Sequence, residues 1–462
     1  MSFIERRFEL LVGLSIAATS AAMGWAVATG ESKPLVLTAL FTLHVLLRRW
    51  RFQDFYLLAI SISALGQWRL GFVVDEADVR KWHALFAMAG VSAMTVIVWL
   101  PEKPWPGRYH LLVGSFLGLC VWSIDWSIQP VQSFQKAGVF GVAICVAWIG
   151  AWAHAGRFER LRALVDVHVD WLWAVFPLSL LVAPLGSSWG GGLSRFRGVF
   201  SNPNSLGFFC GAALPLLFAL SLTEPRPMRR RFTRFLLVCA VLCALLCGSR
   251  GALVGAMIGI GLYAACRWPM RVFQLSMVGG LILSTVALVV ASLGHEFQDV
   301  MVAVLDKQVR FDTLWTLSNR TLIWAVAIAI GQNRHWLGHG FGVGDNLFGL
   351  YGLDSKRGPL PAVHSSYLEA YMNIGLIGTS LMVLVIAACL FAGIRCYLRD
   401  RHGTHGLLAL ALTASATGTA LHGAVETTLL SVGNPWSLPF WMTLALIVRL
   451  SGMTPKSGVA PP

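Results

Sequence analysis

Residues 361–393 read PAVHSSYLEAYMNIGLIGTSLMVLVIAACLFAG. From about 370 to 393 the stretch holds no Asp, Glu, Lys or Arg, and it exceeds the roughly 20 apolar residues that a membrane-crossing helix needs. It closes on Arg395, Arg399 and Arg401, the basic cluster that marks a cytoplasmic helix end. Its beginning is polar. Ser366 and Glu369 have the S-x-x-E spacing of a capping box, so Ser366 is the predicted N-cap. His364 then lies two residues outside the helix, beside its positive end, where imidazolium is disfavoured. A neutral imidazole in a field that attracts anions suits a general base acting on a phosphorylated substrate. The alternative is a histidine of the cap region bonded to backbone.

The same pattern recurs along the chain. Of 462 residues 56% are hydrophobic and 13% charged, with a mean hydropathy of +0.67. No soluble domain hides that much apolar side chain, so the expected fold is all-α, a polytopic transmembrane helical bundle of about 12–14 spans. Early spans are expected at roughly 9–29, 34–47, 53–73 and 83–100. Others follow at roughly 110–128, 136–154, 169–185, 205–222, 235–248, 252–266 and 272–294, and the last at 370–393, 406–422 and 436–450. One long connection, 295–363, separates an N-terminal transmembrane region, 1–294, from a C-terminal one, 364–462. It carries short helical patterns at 296–310 and 320–331, the second too short to span. The net charge of +14 sits in clusters between apolar runs, notably 48–51, 226–234 and 395–401. That is a topological signal, which puts both termini in the cytoplasm, and no nucleic-acid motif accompanies it. The nine cysteines form no C-x-x-C pair, and Cys239, Cys243 and Cys247 share one helix face as small hydrophobes.

Against this pattern Arg195, Arg197, Arg250, Arg320 and His364 fall on the outer side. Arg250, in GSRGA between two apolar runs, is at or near membrane depth, where an ionisable group is a functional candidate by default. Guanidinium groups bind phosphate through paired hydrogen bonds, so these arginines with one histidine suit a lipid-linked diphosphate. The competing reading of Arg250 is a snorkelling or carboxylate-paired side chain, with Asp312 and Glu426 as possible partners. In RGVFSNPNSLG, Asn202 and Asn204 flank Pro203 as a turn, with Asn204 or Ser205 as the expected cap of the next helix. GHGFGVGD, 338–345, contains His339 and reads as a loop needing positive φ, since it lacks a Walker lysine. His335, His339 and His364 are scattered and no HExxH or DxD is present, so neither a metal nor a cofactor is expected.

These residues resemble a family. His364-Ser365, nine residues, then Gly375-x-x-Gly378 resembles the H-[NSQ]-x9-G-x-x-[GTY] signature of bacterial O-antigen ligases. RFRGVFSNPNSLG, SRGA, and Arg320 with Trp324 resemble the wider ligase/polymerase superfamily over roughly residues 190–395. The resemblance implies transfer of an O-polysaccharide from undecaprenyl diphosphate to a sugar hydroxyl of lipid A–core. The reaction would run on the periplasmic face of the inner membrane, without nucleotide or metal. It implies His364 as base, Arg250 and Arg320 as diphosphate ligands, and Arg195 or Arg197 as the basic residue before N-P-N. Asn202, in the N-P-N stretch, and His339, in the glycine-dense stretch 338–345, are further substrate-binding candidates. Two alternatives stay open: the same donor used by a polymerase or a protein O-oligosaccharyltransferase, and a non-enzymatic lipid or solute transporter, for which no inverted repeat is visible.

Overall fold

A computed structural model describes residues 107–184, 188–190, 195–200, 202–278, 284, 320–350, 363–431 and 437–453. The four expected spans before residue 107, most of the crossing at 272–294, Asp312 and the pattern at 296–310 lie outside these residues. Among the described residues the chain is helical apart from two two-residue strands.

The first helices are α1 (Arg108–Trp122) and α2 (Pro130–Cys145), which continues through a π-helical turn (Val146–Gly150) into α3 (Ala151–His154). Then come α4 (Phe158–Leu181), α5 (Pro203–Thr223), α6 (Pro227–Cys247) and α7 (Arg250–Arg267). Between α4 and α5, β1 (Trp189–Gly190) pairs antiparallel with β2 (Arg195–Phe196), with Gly190 opposite Arg195. The later part comprises α8 (Arg320–Gln332), α9 (Gly344–Leu350), α10 (Ser366–Arg399), α11 (Thr404–His422) and α12 (Ser437–Ser451). Among the described residues four helical stretches are long and apolar enough to cross a membrane: Pro130–Ile149, α4, α5 and α10. The chain is an all-α polytopic membrane protein, as expected. Helix α8, at 13 residues, is too short to span, also as expected.

Helix α5 is the centre. Its buried residues run almost without interruption from Leu206 to Ser221 rather than along a stripe, the signature of a helix packed on all sides. Around it stand α4, α6, α7 and α11, with α10 and α12 behind α11. α7 and α11 approach closely because they meet at small residues: a Cβ added to Gly255 would lie 2.6 Å from the Gly418 carbonyl oxygen. Cys239, Cys243 and Cys247 are all buried on the inner face of α6.

α10 is two helices in one. Ile374 (φ −127°) and Gly375 (φ +66°) are non-helical, which divides Ser366–Asn373 from the long apolar part. The freed backbone groups pair with the loop after α8. Leu376 and Ile377 N–H donate to the His335 and Trp336 carbonyls at 2.8 and 3.3 Å, and His339 and Gly340 N–H donate to Met372 and Asn373 at 2.9 and 2.8 Å. A Cβ on Gly375 would come within 2.2 Å of the Trp336 oxygen, so both the positive φ and the close approach demand glycine. This gives the spaced glycine after His364 a physical meaning: it ends the short helix that the histidine precedes.

Candidate active site

The site is built around the start of α10. His364 has φ +52°, the single positive φ of a non-glycine residue among the described residues, and such strain persists only where the surroundings impose it. Trp324, one turn beyond Arg320 on α8, donates its indole N–H to the Val363 carbonyl at 3.0 Å. On the other side Ser366 N–H donates to the Gly423 carbonyl at 2.8 Å. The Ser366 hydroxyl donates to the Glu426 carbonyl at 2.9 Å and accepts from Thr428 and Leu429 N–H at 2.9 and 3.0 Å. The capping expectation is therefore corrected by one residue. Ser365 is the N-cap, its Oγ accepting from Leu368 N–H at 3.4 Å, because the turn after α11 has claimed the hydroxyl of Ser366.

That turn carries Glu426, the carboxylate on which the site converges. Its Oε2 accepts from His364 Nδ1 at 3.1 Å. Its Oε1 accepts from Asn204 Nδ2 at 2.9 Å and from Arg320 Nη2. Arg320 Nη1 donates to the neighbouring Val425 carbonyl. Behind Asn204, Arg195 donates from Nη2 to Asn204 Oδ1 at 3.0 Å and from Nε to the Cys247 carbonyl at 3.0 Å, which ties β2 to the end of α6. Burial works to raise the pKa of the Glu426 carboxyl, but His364 and Arg320 outweigh it and hold the group below the usual carboxylate value. Because a carboxylate only accepts, Nδ1 of His364 carries the proton in this bond, and Nε2 is the nitrogen left to take one.

Arg250 is the first residue of α7 and is exposed. It stands beside the cluster, since a Cβ on the next residue, Gly251, would lie 2.6 Å from Val425 Cγ2 and 3.2 Å from the His422 ring. Of the two carboxylates considered as partners of Arg250, Glu426 pairs with Arg320, and Asp312 lies outside the described residues.

Three other candidates have different surroundings. Asn202 is the N-cap of α5, its side chain accepting from Asn204 N–H at 2.9 Å; the cap is thus neither Asn204 nor Ser205. Arg197 donates its backbone N–H to the Ser188 carbonyl at 2.9 Å, so of the two arginines Arg195 is the one whose guanidinium reaches Asn204. His339 is 2% exposed and donates from Nδ1 to the Met372 carbonyl at 3.1 Å, with burial lowering its pKa. Met372 lies six residues beyond Ser366, about 9 Å of helical rise away, so His339 supports the break in α10 rather than the cluster. The loop of His339 needs positive φ as expected, at Gly338, Gly340 and Gly342. Among the described residues no group of three or more His, Cys, Asp or Glu side chains could hold a metal.

Residues 235–383, from the start of α6 to the middle of α10, match the O-antigen ligase family model. Over this segment, about a third of its length, the chain is similar to the O-antigen ligases. No curated protein matches the chain. The matched segment contains Arg250, Arg320 and His364 but neither Arg195 and Asn204 before it nor Glu426 after it. These three come to the family segment only through folding. Glu426 and Asn204 are also what sequence reasoning missed as site residues. The available signal for Glu426 was a lone acid between the apolar runs of α11 and α12, and an acid at the end of an apolar run invites a search for its basic partner.

Proposed function

We propose that this protein is a lipid-diphosphate-dependent glycosyltransferase. In this reading it moves an O-polysaccharide from undecaprenyl diphosphate to a sugar hydroxyl of lipid A–core on the periplasmic face of the inner membrane. The match of residues 235–383 to the O-antigen ligase family model supports a role in O-antigen processing. The observation that carries the chemistry is the convergence of Arg195, Asn204, Arg320 and His364 on Glu426, with Arg250 alongside.

A sugar hydroxyl is a poor acid, so a base must take its proton as the oxygen attacks the anomeric carbon. His364 Nε2 is that base, oriented through Nδ1–H. The bond from the anomeric carbon to the diphosphate oxygen breaks, and the leaving diphosphate gains charge. Arg250 and Arg320 stabilise that charge most as it develops, which is where stabilisation speeds the reaction. Direct attack by the acceptor inverts the anomeric carbon. The arginines supply the positive charge that a divalent cation would otherwise supply, so the reaction runs without metal. The second reading keeps this chemistry with a growing polysaccharide or a protein as acceptor; the site's geometry is the same for both.

The test is the glycolipid profile of a strain lacking the gene, paired with transfer by the purified protein in EDTA. Loss of capped lipopolysaccharide with build-up of lipid-linked polymer, and transfer that survives EDTA, support the ligase reading. Unchanged capping with shortened polymer supports a polymerase, and loss of transfer in EDTA restored by Mg²⁺ removes the metal-free mechanism.

A further inference from the structure

Arg320 is assigned above to the leaving diphosphate, yet its guanidinium is already engaged by the Glu426 carboxylate and the Val425 carbonyl. The same carboxylate holds His364 through its other oxygen. We propose that Glu426 is a displaceable stand-in for the diphosphate: it holds Arg320 while the site is empty, yields it to the donor, and then serves His364 alone. Glu426 is thus a positioning residue, and the inference rests on the glycosyltransferase reading above.

The geometry favours exchange over a permanent ion pair. Glu426 sits in a turn between α11 and α12, outside both helices, and the turn is fixed to α10 through the backbone and hydroxyl of Ser366 rather than through the carboxylate. Releasing Arg320 therefore leaves the turn anchored. The released Oε1 keeps the Asn204 amide at 2.9 Å, so it is not stranded without a donor. A diphosphate offers the guanidinium more charge and more acceptor oxygens than one carboxylate and one carbonyl do. Among the described residues Arg195 stands behind Asn204, Arg250 at the start of α7 and His422 at the end of α11. The arginines favour the ionised carboxylate. Once Arg320 has turned to the donor, more of the carboxylate's charge falls on Nδ1–H, and Nε2 becomes the stronger base. No proton reaches Glu426: the acceptor's proton ends on Nε2. The consequence is order, in that His364 is at full strength only when a donor occupies the arginines.

This reading predicts opposite signs for binding and turnover in one variant. Glu426→Gln keeps the shape and the Asn204 contact but removes the negative charge that holds Arg320. Its affinity for an isoprenoid diphosphate without sugar, farnesyl diphosphate, should rise about tenfold, the worth of one charge-assisted hydrogen bond. Its turnover should fall, and Glu426→Asp should restore part of it. A purely structural carboxylate would weaken both properties together, and unchanged or weakened farnesyl diphosphate binding by Glu426→Gln overturns the proposal. A second measurement uses the unaltered protein. The His364 Nδ1–H proton, followed by NMR in nanodiscs, should move downfield when farnesyl diphosphate is added, and no movement likewise overturns the exchange. Failure of the unaltered protein to bind farnesyl diphosphate at all would instead remove the glycosyltransferase reading on which the inference rests.

Discussion

The two ends of the α5–α6 hairpin are both rich in arginine, yet they are organised differently. Past the C-terminus of α5, Arg162, Arg226 and Arg229 meet Asp166, Asp170 and Glu224. Three cations share three anions, and each arginine has at least one carboxylate. At the other end Arg195, Arg320 and His364 all lean on Glu426, directly or through Asn204, and Arg250 stands exposed beside them. The 21 residues of α5 separate the ends by about 30 Å, the thickness of a bilayer's hydrocarbon core. A balanced cluster is complete in itself and fastens helices together. In the unbalanced one Arg320 and His364 share the single carboxylate of Glu426. Positive charge alone therefore does not mark the site; the sharing of one carboxylate by several bases does.

Substitutions at both ends can break this contrast. The largest effect is expected at His364. Loss of a positioned general base costs about 10²–10⁴ in rate, so His364→Ala and His364→Gln should both nearly abolish transfer while donor binding persists. A Gln variant with most of its turnover would reduce the histidine to a ligand. Next come the arginines, where one substitution can be made at both ends. Arg250→Lys and Arg320→Lys keep the charge but lose the paired hydrogen bonds, and each should lower turnover roughly tenfold or more. Arg229→Lys, at the balanced end, should leave turnover per folded molecule within about twofold. Equal losses at the two ends would erase the distinction.

The balanced end should reveal itself in stability instead. Glu224 has a side chain 1% exposed and held by Arg162 and Arg226. Burial acts to raise its pKa, but the two arginines win and hold it below 4.5. A depressed folded-state value means that its contribution is fully present above pH 4.5 and is lost as pH falls through the lower folded value. Glu224→Gln should cost about 1–3 kcal/mol at neutral pH, discounted because Arg226 is half exposed. The cost should shrink on acidification, with turnover per folded molecule unchanged. Thermal unfolding in detergent at pH 7 and pH 4 measures this, and a cost that grows at low pH contradicts it. The smallest effect is expected at Asn202, close to the unbalanced end yet only a cap. Asn202→Ala should cost about 1 kcal/mol of stability and little activity. A loss of transfer comparable to that of Arg250→Lys would return Asn202 to the binding site.

The sequence by itself determined the class of this protein. Apolar runs of spanning length closed by arginine clusters permit few folds other than a helical bundle in a membrane, because an unpaired backbone is intolerable in lipid. The motif residues Arg250, Arg320 and His364 were legible too, since each sits at a helix start, where local rules of capping and charge apply. Arg195 and Arg197 could not be told apart in the sequence, because the choice depends on which guanidinium a two-residue strand turns toward Asn204. Ser366 looked like a cap, since local spacing cannot register a turn 60 residues later that takes its hydroxyl. Glu426 lies 106 residues from Arg320 and 222 from Asn204, and no periodicity links positions so distant. A carboxylate becomes a counter-ion only when packing brings bases to it. The short approach of α7 to α11, permitted by Gly255 against Gly418, and the break of α10 at Gly375 are what place those bases around one acid.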